Sequence, residues 1–75
     1  MKVRYTDVYR TTPKGRDLRV IIEKEDNCPT RYYVMYRERE IAQMTGQEIL
    51  ELICTRAISE ICDAVIDEMN SLKEE

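Results

Sequence analysis

The chain has 75 residues, 43% of them hydrophobic and 36% charged, with a net charge of −3 and no histidine. That length holds a single domain (1–75), which buries only about 60–65% of the surface its unfolded chain exposes. The composition excludes a disordered chain, and no apolar run approaches the ~18 residues of a membrane span.

Chains this small lean on disulfides, a metal or oligomerisation. Cys28, Cys54 and Cys62 cannot all pair, and no charged start followed by an apolar stretch marks a leader. The expectation is a cytoplasmic protein with reduced thiols. With no histidine and no CxxC pair, a zinc site would need three thiolates and carboxylate help. No cofactor is therefore expected, and oligomerisation is the support that remains. Charge is unevenly placed. Residues 1–40 carry ten Lys/Arg against seven Asp/Glu, a balance of +3, whereas residues 41–75 carry two against eight, a balance of −6. The result is a dipolar particle.

In chain order, residues 2–10 (KVRYTDVYR) alternate Val3 and Tyr5 with Arg4, Thr6 and Val8, as a strand does. Pro13 and Gly15 punctuate a turn. Residues 17–25 alternate Leu18, Val20 and Ile22 with Arg19, Ile21 and Glu23, and Asp26 to Thr30 form a second turn. Residues 31–37 read as a third strand and residues 39–43 as a short fourth. Thr45 and Glu48 form a capping box, with Met44 placed to staple onto Ile49, and a helix runs over 46–73. At its end, Lys73-Glu74-Glu75 is expected to fray, because two acids oppose the helix dipole. The predicted fold is α+β: an antiparallel β-meander of three to four strands, then one long C-terminal helix packed on one sheet face. This element order resembles that of several unrelated small dimers, among them some single-strand DNA-binding coactivators and phage-encoded inhibitors, and it transfers no residue roles.

The helix is unusual. At about 100° per residue its apolar side chains fill an arc of roughly 220°, whereas a surface helix hides about 100–140°. Leu52 and Ile66 fall outside even that arc. A helix of this length runs about 42 Å, and strands of ~7 residues reach about 23 Å, so one small sheet cannot cover it. A second copy of the chain is the economical cover, with Ile58, Cys62, Val65, Ile66 and Met69 as candidate dimer-interface residues. Cys54 and Cys62 lie within the arc and read as small buried hydrophobes, and Cys28 stands in a turn.

Catalysis is poorly supported, because the commonest general base near neutral pH is missing. The carboxylates Glu60, Asp63 and Asp67 share one helix face at i, i+3, i+7, either as a solvated face or as an acidic contact stripe. The sheet offers a second surface. With Leu18, Val20, Ile22, Tyr32, Val34 and Tyr36 turned inward, the outer face shows Arg4, Thr6, Val8, Arg10, Arg19, Ile21, Arg31, Tyr33, Met35 and Arg37. The third strand also admits the alternative register, with Tyr33 and Met35 inward, because the two sets are nearly equal claimants for the inside. From these, Arg4, Arg19, Ile21, Arg31, Tyr33, Met35 and Arg37 are the partner-binding candidates, since Arg, Tyr and Met are enriched in interfaces. Two functional readings follow. One is a non-enzymatic homodimeric module, such as a regulator, adaptor or phage-type inhibitor, that binds an unidentified partner protein. The alternative is a dimer that binds nucleic acid through the arginine- and tyrosine-rich sheet face.

Overall fold

The computed structural model describes residues 1–73. Four strands, β1 (Lys2–Thr11), β2 (Asp17–Glu25), β3 (Arg31–Tyr36) and β4 (Arg39–Met44), form one antiparallel sheet in the order β1-β2-β3-β4. Two helices, α1 (Gly46–Cys54) and α2 (Ala57–Lys73), pack against one of its faces. The α+β meander expected from the sequence is present, including its short fourth strand. The expected fraying concerns Glu74 and Glu75, which lie outside the described residues.

Local chemistry sets the turns. In the β1–β2 loop, Thr12 donates to the Arg16 carbonyl at 2.8 Å and Gly15 donates to the Thr12 carbonyl at 2.9 Å. Gly15 sits at φ 82, where a side chain would be strained. Asn27 occupies φ 64 in the β2–β3 turn, a conformation its short amide tolerates. At the start of α1, Thr45 and Glu48 form the capping box: the Glu48 amide donates to Thr45 Oγ1 at 3.2 Å, and the Thr45 amide donates to Glu48 Oε1 at 3.1 Å.

The core joins Leu18, Val20 and Ile22 of β2, Val34 of β3, Met44 of β4, Ile49 and Leu52 of α1, and Cys62 and Ile66 of α2. Tyr32 and Tyr36 pack at its border. The inward set on β2 and β3 is therefore the one the two-residue period implies, and Tyr33 and Met35 stand on the outer face.

Three expectations fail for physical reasons. A bulge between Thr6 and Val8 shifts the β1 register, so Val8 pairs with Val20 and Arg10 with Leu18. An extra residue reverses every later side chain, which puts Val8 and Arg10 on the helix side instead of the outer face. Arg37 lies beyond β3 in the β3–β4 turn at φ 57, with its guanidinium 5.2 Å from the Tyr36 ring centre. The predicted single helix is two. α1 ends on Thr55, which is extended (φ −131, ψ 169) and whose amide and hydroxyl both donate to the Glu51 carbonyl, at 2.9 and 2.8 Å. A threonine hydroxyl that competes for a backbone carbonyl weakens helix continuation.

The break resets the helical phase. Leu52 and Ile66, outside the apolar arc of a continuous helix, are 0% and 1% exposed at the centre of the core. Cys54, expected inside, is exposed. Replacing Leu52 with Ala should cost about 3 kcal/mol in urea unfolding; an unchanged midpoint would mean that α1 does not pack as described.

Candidate interaction site

Strand pairing builds the outer sheet face in rows. Arg4, Glu23 and Arg31 stand directly opposite one another on β1, β2 and β3. The next row holds Thr6, Ile21, Tyr33 and Gln43, and the one after it Tyr9, Arg19, Met35 and Glu40. Six of the sequence candidates, Arg4, Arg19, Ile21, Arg31, Tyr33 and Met35, are thus gathered on one face. Arg37 is not among them.

The centre of the first row is a carboxylate that the candidate set omitted. Glu23 is only 4% exposed although among the described residues no layer covers this face. Its oxygens lie 3.2 Å from Lys2 Nζ, 3.8 Å from Arg31 Nη1 and 4.0 Å from Arg4 Nη1. The Arg4 guanidinium lies 5.3 Å from the centre of the Tyr33 ring. The Tyr33 hydroxyl and, to a lesser degree, Glu23 raise the pKa of Arg31. The signal for Glu23 was already in the alternation that turned Arg4 and Arg31 outward, since Glu23 shares their face. Taken whole, the face is balanced: Lys2, Arg4, Arg19 and Arg31 stand with Asp17, Glu23, Glu25 and Glu40.

The helix layer presents a second surface. Leu50 (62% exposed), Ile53 (42%), Ile61 (56%) and Leu72 (67%) point away from the core. Cys54 is also exposed and Val65 half-buried. The dimer-interface candidates divide. Cys62 and Ile66 belong to the chain's own core, which leaves them no surface for a second copy. Ile58, Val65 and Met69 are half-buried. Glu51, Glu60 and Glu68 on the same helices are exposed as well.

The acidic trio Glu60, Asp63 and Asp67 does not form a solvent stripe. Asp63 is buried and fastens the β1–β2 loop to α2. It accepts from the Thr12 hydroxyl at 2.6 Å, the Lys14 amide at 3.1 Å and Arg16 Nη1 at 3.1 Å. Asp67 accepts from Arg16 Nη2 and, at 2.5 Å, from Lys14 Nζ. Glu60 stands apart, 3.9 Å from Arg56. Burial pushes the Asp63 carboxyl up, and its hydrogen bonds from Thr12, Arg16 and Lys14 overcome that and hold it below the usual range. Arg16 and then Lys14 bring Asp67 down to about 2.

Among the described residues no group of three metal-ligating side chains is gathered, and no helix is long and apolar enough to cross a membrane. Comparison of the chain with protein-family models, curated proteins and solved structures finds no match.

The clasp makes stability acid-sensitive with a definite sign. Carboxyls with depressed folded pKa values stabilise fully above their unfolded value, about 3.9, and that contribution is lost as pH falls toward the Asp67 value of about 2. Urea unfolding across this range should show stability falling from about pH 4 downward. Asp63→Asn should lower stability at pH 7 by about 2 kcal/mol and flatten that fall. An unchanged pH profile in the variant would place the acid sensitivity elsewhere.

Proposed function

We propose that the protein is a non-enzymatic interaction module that works as a homodimer, joined through the helix layer, and that regulates a partner protein by occupying its surface. The observation that carries this reading is the exposure of four large apolar side chains on the helices, Leu50, Ile53, Ile61 and Leu72. The core closes without these residues, so burial inside the chain does not explain them. Fully burying one such side chain contributes about 1.5–3 kcal/mol, and a two-fold contact buries each twice.

The ionisable groups agree with a binding role. Arg16 and Arg31 are raised, Asp63 and Asp67 lowered, and the buried Cys62 thiol raised, first by loss of solvent. Every one of these shifts leads away from neutrality, whereas acid–base catalysis tunes groups toward it. The nucleic-acid reading is the weaker of the two. Strand-tracking surfaces need a basic excess and open aromatic faces, and here the sheet face is charge-balanced while Arg4 covers the Tyr33 ring.

Light scattering over a dilution series from about 100 µM to below 1 µM should show twice the chain mass giving way to one. Ile61→Asp should weaken association by about 100-fold or more without altering the circular dichroism. Because Glu51, Glu60 and Glu68 are exposed on the same helices, added salt should tighten the dimer. A wild-type monomer across the whole series would overturn the reading.

A further inference from the structure

We propose that Lys2, Arg4 and Arg31 form a preorganised receptor for a side-chain carboxylate, carried by an extended acidic segment of the partner protein. The inference rests on the sheet face being the one turned to the partner, and it does not require the dimer.

The argument begins with an imbalance. Three cations surround one buried carboxylate, and with Glu25 directly opposite Lys2 the neighbourhood keeps one positive charge in excess. Glu23 has two oxygens, and only Lys2 approaches them closely, at 3.2 Å; the guanidiniums stand off at 3.8 and 4.0 Å. An arginine carries five N–H donors in a planar fork that matches a carboxylate. Most of those donors on Arg4 and Arg31 are not engaged by Glu23 at these separations.

The two guanidiniums are also held in place before any ligand arrives. Each flanks Glu23 across the strands, and Arg4 rests on the Tyr33 ring. Long side chains fixed in this way lose less conformational freedom on binding. Glu23 therefore acts as a positioning residue whose negative charge opposes the ligand while its geometry favours it.

The surroundings select the kind of anion. One excess-charge spot on a balanced face suits a single anionic group and not a run of phosphates. The neighbouring row, two residues along the strands and so about 7 Å away, offers Ile21 and Tyr33. A segment with an acidic residue and an apolar residue two positions later matches both rows, since alternate side chains of an extended chain share a face.

The test is an NMR titration of the full chain, following the arginine Nε–H and Tyr33 ring signals. The probes are a capped Gly-Glu-Thr-Leu-Gly peptide, its Gln-for-Glu counterpart and a short oligothymidylate. The glutamate peptide should produce saturable shifts at Arg4, Arg31 and Tyr33, with a dissociation constant on the order of 1 mM. The Gln peptide should bind about tenfold more weakly. The double variant Arg4→Lys/Arg31→Lys, which keeps the charge and loses the forks, should lose about tenfold. Glu23→Gln adds one positive charge to the cluster, yet it should weaken the glutamate peptide, because the forks lose their anchor.

Equal binding of both peptides, tighter binding to Glu23→Gln, or full binding by the lysine variant would overturn the receptor. Tighter binding of the oligothymidylate at these residues would overturn its assignment to a protein carboxylate. None of these outcomes touches the dimer, whose failure is read by mass alone.

Discussion

The clasp between Asp63 and the β1–β2 loop governs how the two layers sit together. The helices make their main contacts with β3 and β4, so the β1–β2 hairpin would be joined to the rest only through the sheet and the shared core. Asp63 closes that gap by drawing Thr12, Lys14 and Arg16 onto α2. The arrangement is stable because the carboxylate is buried with its donors already supplied. Desolvation alone would raise its pKa, and three hydrogen bonds reverse that balance. An isolated surface ion pair between Lys14 and Asp67 contributes little; beside the buried pair it completes a network that fixes the loop.

The clasp also explains why the acidic helix face is not free for a partner. Asp63 and Asp67 are consumed within the chain, and Lys14 and Arg16 with them. The sheet half then keeps a balance of +1 and the helix half −4, from the +3 and −6 of the whole sequence. What the composition suggests as two strongly opposed halves is therefore milder at the surface. The remaining positive excess is local, at Lys2, Arg4 and Arg31 around Glu23.

Much of this was legible in the chain. The alternation of Leu18, Val20 and Ile22 set the inner face of β2, and the capping box at Thr45 and Glu48 placed the start of α1. The alternative register for β3 failed because Val34, not Tyr33, pairs with Val20 at the core centre. Two features were hidden, each because no glycine or proline announced it. The β1 bulge lies in the unremarkable run Thr6-Asp7-Val8, and its effect is to carry Val8 and Arg10 across the sheet. The helix break lies at Cys54-Thr55-Arg56, where Thr55 turns extended and its amide and hydroxyl both close on the Glu51 carbonyl. Each hidden feature alters a phase, so one local event moves residues after it in the same element, Val8 and Arg10 on β1 and Ile66 on α2.

The same phase argument connects the fold to association. A continuous helix would have spread its apolar residues over an arc too wide for any one partner layer. Broken at Thr55, it becomes two helices that each give a narrow set to the core: Ile49 and Leu52 from α1, Cys62 and Ile66 from α2. Four residues that made the arc wide, Leu50, Ile53, Ile61 and Leu72, are then left exposed. The sheet's outer face and the helix layer lie on opposite sides of a two-layer particle, with the core between them. In the proposed dimer the helix layers meet in the middle and both sheet faces remain outward, so each assembly carries two carboxylate receptors. A single receptor of this kind binds weakly, and two presented by one assembly act together only on a partner with more than one acidic segment within reach. Self-association through the helices would in that way set the affinity at the sheets.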